Sequence, residues 1–388
     1  MRTGRLCLLA VALGLASASH GATALTVEDE TLACELLGLE AGPTAVLRVG
    51  GKVRRVPCAD LLAIDLRDER PTPRPGDSSL VLRDGRVLRG TIVGGSSRAV
   101  ALRSPLFAAV ECPLAAIARV EFPVAQPARP PRPAEKQDRL LFANNDVVDG
   151  TVLAFGPDGV RFRSELLGEL DITFDRLKTL VFAAHSGAAP AVPKGVYAVV
   201  HADDGSVVAG TIRSLAEGRL ALGAAFGQPL SLALDRIARI EFRGGRLIFL
   251  SDLEPAEVKE TPFFDLVWRY RRDRSVDGNP LRLGDRSYRK GLGVHSRCEL
   301  TYALDGAYRR FLADVGIDEE VGEKGNVDVA VLVDGQVRFE RKAVTGRDAP
   351  LPVAVDVAGA KRLTLRVDFG RDFDICDHAD WAKARLIR

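Results

Sequence analysis

A 60-residue repeat constrains this chain more than any other feature. Asp84-Gly85 precedes Gly90-Thr91-Ile92, Asp146 precedes Gly150-Thr151-Val152, and Asp204-Gly205 precedes Gly210-Thr211-Ile212. Each unit closes on a related phrase ending at Phe122, Phe182 or Phe242, so two landmarks recur at one interval of 60 residues. A weaker first copy runs from Thr26 to Leu66. Within a unit, apolar and polar residues alternate with period two around an Asp-Gly turn, as in Leu80–Arg83 and Val87–Ile92. That is the signature of short antiparallel strands joined by hairpins.

Roughly five short strands per unit can bury one face by curling into a small closed barrel. The pattern resembles the SH3-like or Sm-like barrel class. The expected units are 25–67, 78–122, 138–182 and 195–243. Pro-rich separators at 70–75, 123–133 and 188–193 favour extended spacers that cannot enter a sheet interior. The barrels are then beads able to pack side by side or to sit apart. The last unit passes into Gly244–Leu253 with almost no spacer, which predicts docking against whatever follows.

The first 24 residues read as an export signal. Arg2 and Arg5 precede an apolar run from Leu6 to Leu15, and either Ala16-Ser17-Ala18 or Ala22-Thr23-Ala24 offers the small residues that signal peptidase needs. The run is too short to span a bilayer, and an N-terminal membrane anchor is the plainer alternative. The expected location is secreted, periplasmic or cell-envelope. Five cysteines follow the signal, and Cys34–Cys58 or Cys298–Cys376 are conceivable pairs in an oxidising compartment. Buried apolar cysteines with at most one bridge are the simpler expectation. A formal net charge of +2, from 54 basic and 52 acidic side chains, supplies no bulk field for nucleic acid or an anionic membrane.

From 255 to 388 the strand pattern continues. Glu299–Leu304, Val327–Val333, Val353–Val357 and Leu363–Val367 alternate or are rich in β-branched residues, with a hairpin turn at Asp334-Gly335. Some eight short strands make a two-sheet sandwich the natural solution. The whole chain is therefore expected to be all-β: tandem small barrels followed by a β-sandwich.

Several motifs in this region stand in a recognisable order. They are Lys290–Ser296 (KGLGVHS), Tyr302-Ala303-Leu304, Phe311–Asp318 (FLADVGID), Val333-Asp334-Gly335 and Asp377–Ala382 (DHADWA). Asp273-Arg274-Ser275 and Pro280–Gly284 lie upstream in the same pattern. This third of the chain resembles the NPCBM/NEW2 domain, a family of carbohydrate-binding modules. The resemblance implies a galactose-binding-domain-like jelly roll that binds a glycan or polysaccharide, often beside glycoside hydrolases. Residues 25–250 contain no recognisable hydrolase domain. Cys298 and Cys376 depart from the pattern, since polar residues are expected so close to the His295 and His378 motifs.

Sugar recognition needs a flat aromatic face and planar polar groups. The candidates are Trp268, His295, Asp377, His378 and Trp381. Each tryptophan can equally be core, and His295, controlled by Gly291 and Gly293 just before it, can equally be a structural histidine. The resemblance singles out Asp377–Asp380 without saying whether it folds the loop or touches ligand. It also implies a structural calcium near the chain ends, for which Asp273, Asp277 and Asp380 supply hard oxygens; no other cofactor is expected. The basic stretch from Arg269 to Lys290 could attract an acidic glycan, but Asp265, Asp273, Asp277 and Asp285 offset it, and a solvated loop is the plainer reading.

Asp372, Asp374, Asp377 and Asp380 are clustered, yet proximity in sequence is not the facing geometry that glycoside hydrolysis requires. No GxSxG, HExxH or phosphate loop is present. The resulting expectation is an exported, non-catalytic glycan-binding protein. The alternative is a cell-envelope scaffold whose barrels bind protein partners. Nucleic acid is not an expected partner, and the mature chain is not expected to span a membrane.

Overall fold

The computed structural model describes residues 21–388 apart from 41, 68–70, 124–131, 134–135, 184–186, 264 and 372. Most of the expected export signal, through residue 20, lies outside the described residues. A core strand, Ala22–Thr26, already begins before the boundary at 25, with Ala22 and Ala24 buried.

Each repeat contributes five antiparallel strands. In the fourth these are Tyr197–Ala202, Val207–Ala216, Arg219–Ala224, Pro229–Ala233 and Ile237–Arg243, with a short 3-10 turn at Leu234–Arg236 before the last. The spatial order within a unit is fourth, third, second, first, fifth. The recurring glycine has a packing reason: a Cβ on Gly90, Gly150 or Gly210 would collide with the carbonyl oxygen of Arg103, Arg163 or Gly223 on the third strand. Only glycine lets the second strand approach so closely there.

Closure of each unit into its own barrel is not seen. Among the described residues no fourth strand pairs with the fifth strand of its own unit. Instead the fifth strands pair with one another across units, Ile64 opposite Ile240 and Val120 opposite Leu180. Units 1 and 4 thereby form one ten-stranded sheet, and units 2 and 3 form another. Pairing the fifth strands satisfies an edge that barrel closure would otherwise have to satisfy. The two sheets share one apolar core, drawing Leu47, Leu88, Phe162 and Leu232 from four different units. The units are not beads on spacers. Phe122 stacks on Phe174 of the next repeat, with ring centroids 5.1 Å apart.

The C-terminal part is the expected sandwich. One sheet runs Arg271–Arg272, Gly291–His295, His378–Ile387, Arg310–Ile317, Leu351–Asp356. The other runs Glu257–Glu260, Cys298–Ala303, Arg362–Phe369, Asn326–Val333, Gln336–Thr345. Asp334 and Gly335 have φ of 49° and 81°, the pair of positive values that a tight two-residue hairpin turn requires. Inward side chains such as Leu292, Phe311, Val331 and Leu365 fill the space between the sheets.

The expected docking is present. Leu247–Phe249 joins the sandwich by pairing with the end of His378–Ile387. Val27, Leu62, Phe249, Leu312 and Ile387 form a small apolar cluster between unit 1 and the sandwich. Fully buried Arg385 crosses this seam to the Asp29 carboxylate, at 2.5 Å. All five described cysteines are free thiols, four of them buried, so neither conceivable disulfide forms. No helix among the described residues is long and apolar enough to cross a membrane.

Candidate functional site

The strand Gly291–His295 lies beside His378–Ile387 in antiparallel register, with His295 opposite His378 and Leu292 opposite Trp381. Side chains alternate between faces along a strand, so residues an odd number apart point opposite ways. His378 and Trp381 are three apart. His378 turns to the outer face, while Trp381 turns into the sandwich core, 1% exposed. Trp381 is therefore not a ligand-facing residue, because its indole is packed between the sheets.

The outer face gathers Trp268, His295 and His378. Trp268 is half-buried and stacks on His295, with centroids 5.2 Å apart and planes 15° from parallel. His378 lies 5.3 Å from Trp268 and 5.4 Å from His295, completing a triangle of rings. His295 Nδ1 is 3.0 Å from the Ser296 carbonyl oxygen, which can only accept. Nδ1 therefore carries the proton, and Nε2 remains an acceptor. Burial lowers the His295 pKa, with His378 adding to the effect against the Ser296 hydrogen bond, and this favours the neutral ring.

Sequence reasoning missed Glu320, which organises the polar side of the site. It accepts from Ser275 Oγ at 2.6 Å and Asn279 Nδ2 at 3.0 Å, and its other oxygen lies 2.7 Å from His378 Nδ1. Burial alone would push its carboxyl up. The hydrogen bonds from Ser275, Asn279 and His378 outweigh burial and hold the pKa below the ordinary value. Asp318 caps the short turn Glu319–Val321 by accepting from the Glu320 amide at 2.8 Å, which aims the Glu320 side chain. The available signal was an Asx-type residue two positions before Glu320, just at the end of the FLADVGID motif.

Asp377 is buried behind the site rather than in it. Its carboxylate accepts from Ser296 Oγ at 2.5 Å and from the Asn326 amide at 3.0 Å, bracing the loop before His378.

The expected calcium set is not assembled. Asp273 accepts from Lys290 Nζ at 2.6 Å and the Gly291 amide at 3.2 Å, tying its loop to the sheet. Asp380 is fully buried beside Asp318, and burial first, then Asp318, raises its pKa well above the carboxylate range. The group that does converge is Asp277, Glu320 and His378, whose ligand atoms lie within 4.8 Å of one another. It supplies two carboxylates and a nitrogen, whereas calcium takes roughly six to eight oxygens. Glu320 and His378 already satisfy each other. These residues do not fit calcium.

Four apolar side chains of the flanking loops, Phe263, Leu266, Phe373 and Ile375, are exposed, and Phe263 packs against Phe373 at 4.8 Å. The arrangement offers a half-buried indole, two largely buried imidazoles whose Nδ1 atoms are already engaged, and the exposed Asp277 carboxylate.

The order of motifs along this sandwich agrees with one family model. Residues 246–387 are an NPCBM/NEW2 domain. A Renibacterium salmoninarum protein provisionally named as an endo-alpha-N-acetylgalactosaminidase is 32% identical over 111 residues, which cover 29% of this chain and 7% of that protein. The match thus spans a small part of that relative's length. Solved structures similar to this chain include carbohydrate-binding modules of the CBM51 family. One, from Clostridium perfringens GH95 in complex with methyl-galactose, is 29% identical and covers 36% of this chain and 99% of its own, at a TM-score of 0.33. Another, CBM51-2 with GlcNAc and INT domains from Clostridium perfringens ZmpB, is 22% identical and covers 59% and 43%, at 0.35. The NPCBM/NEW2 domain comprises the sandwich together with the strand Leu247–Phe249 that docks it to the repeats.

Proposed function

We propose that this protein binds a neutral glycan on the outer face of the NPCBM/NEW2 domain and performs no bond cleavage. The observation that carries the reading is the half-exposed Trp268 indole stacked on His295 with His378 at its edge. An indole face packs on the C–H side of a pyranose, while imidazole nitrogens and the Asp277 carboxylate accept from its hydroxyls. The family resemblance and the methyl-galactose and GlcNAc complexes of the CBM51 modules support a hexose or an N-acetylhexosamine as the bound unit.

A non-catalytic role is supported by the carboxyl groups. Glu320 uses both oxygens on Ser275, Asn279 and His378, and Asp380, a carboxyl of the same domain whose pKa is raised, is sealed from ligand. The repeats serve as a rigid platform: their fifth strands pair with each other, which disfavours the alternative of envelope proteins docking on those edges. Export through the N-terminal signal belongs to the same reading. Cleavage after Ala18 would spare the strand Ala22–Thr26, whereas cleavage after Ala24 would remove three of its five residues.

The test is a glycan array probed with the full mature chain, followed by calorimetry on the best ligand. Binding of a neutral hexose-containing glycan that is lost in Trp268→Ala supports the proposal. Retention of full affinity in that variant, or release of product from the bound glycan, would sink it.

A further inference from the structure

A second binding site is suggested by the seam between the repeats and the sandwich. A cleft of about 600 Å³ opens there, walled by the unit 1–unit 4 sheet on one side and by Pro280 and Ser287–Lys290 on the other. Arg67, Arg239, Arg243, Arg289, Lys290 and Lys383 line it, against only Asp65 and Glu241. A neighbouring cavity of about 740 Å³ shares Arg243, Phe249 and Lys290 with it, so the two adjoin across these side chains.

Some of this charge is answered locally. Lys290 reaches Asp252 and Asp273, each at 2.6 Å, and Lys383 reaches Asp314 at 2.9 Å. The guanidinium groups are not answered to the same degree. Buried Glu241 is the shared partner of Arg243 at 2.6 Å, Arg239 at 3.2 Å and Arg289 at 3.6 Å, with His201 at 3.4 Å. Arg239 also meets Asp65, so two carboxylates face three guanidiniums. Among the described residues no carboxylate lies within ion-pair distance of Arg67. Arg243 Nη1 is buried with no hydrogen-bond partner, an arrangement that is costly until an acceptor arrives. Tyr288 adds a ring to the wall, and Pro280 follows Asn279, which is bonded to Glu320 in the outer-face site.

We propose that this cleft binds a carboxylated or sulfated saccharide chain. Its anionic groups would sit on Arg67, Arg243 and Arg289, whose planar forks match carboxylate and sulfate oxygens two at a time. A cleft of about 600 Å³ has room for more than one small ion. The inference stands on side chains separate from Trp268, His295 and His378, so either site can fail without the other.

The experiment uses the full mature chain, titrated calorimetrically with a heparin-derived oligosaccharide, an oligogalacturonate, inorganic sulfate and a single-stranded DNA oligomer of matched charge. At least one acidic saccharide should bind with an affinity that falls steeply with salt. The Arg67→Glu/Arg289→Glu variant should weaken it at least tenfold while leaving any neutral-glycan binding intact. Thermal unfolding checks that this variant is folded, and Arg67→Gln/Arg289→Gln replaces it if it is not. Unchanged affinity in the folded variant, no binding of either acidic saccharide at low salt, or DNA and inorganic sulfate binding as tightly as the saccharides would overturn the proposal.

Discussion

His295 and His378 face each other across two adjacent antiparallel strands, their ring centroids 5.4 Å apart, with Trp268 closing the triangle above them. Their Nδ1 atoms are committed to Ser296 and Glu320. The site is thus assembled from a strand pair, a short capped turn and one loop tryptophan, each held by a different local device.

The two tryptophans should behave oppositely on substitution. Trp268→Ala is expected to lower glycan affinity about tenfold or more, equivalent to about 1.4 kcal/mol, with little change in the unfolding midpoint. Trp381→Ala should instead cost about 3–5 kcal/mol of stability through the cavity it leaves. Calorimetry and denaturant titration on both variants check the contrast.

Glu320→Gln should disturb the site through His378 rather than through direct contact. The carboxylate that fixes the imidazole proton on Nδ1 is lost, so His378 is free to change tautomer and rotate. Glycan affinity is expected to fall several-fold, and the His378 ring nitrogen signals should shift towards a tautomer mixture. Unchanged nitrogen shifts together with unchanged affinity would contradict this role.

Acid should weaken the seam between units through Glu241. Burial would push its carboxyl up, but the nearby His201 ring and the charges of Arg243 and Arg239 hold it well below the ordinary range. Its folded pKa is depressed below the unfolded value of about 4.3, so its contribution is fully present above that pH. The contribution is lost as pH falls from there through the folded value. Thermal midpoints should drop on acidification more steeply for the native chain than for Glu241→Gln, which starts lower near neutrality and loses less.

Asp29→Asn is expected to loosen the sandwich from unit 1. Asn tolerates the positive φ of 66° at this turn, but the substitution leaves buried Arg385 without its carboxylate. Arg385 is buried but Asp29 is 39% exposed, so solvent screens part of the loss and the cost is about 1–2 kcal/mol. Limited proteolysis should then cut between Arg243 and Leu247 well before the native chain is cut.

Much of this architecture can be read from local pattern. Period-two alternation, Asp-Gly turns and the 60-residue interval specify strands, hairpins and four like units, because each reflects a steric rule acting over a few residues. The same alternation, applied through Asp377–Trp381 as a strand rather than a loop, would have sent Trp381 into the core and kept His378 outside. Glu320 was harder to foresee, since its partners Ser275, Asn279 and His378 lie 45, 41 and 58 residues away.

The linear order of residues by itself determined the all-β class, the repeat, the sandwich and the family motifs, since backbone sterics and side-chain alternation act locally. Tertiary structure alone decided that unit 1 pairs with unit 4 and unit 2 with unit 3, that Arg67 and Arg239 meet Arg289 in one cleft, and which acidic residues converge on His378. Strand edges carry interchangeable backbone donors and acceptors. Which edge meets which is therefore settled only when the whole chain buries its apolar faces together.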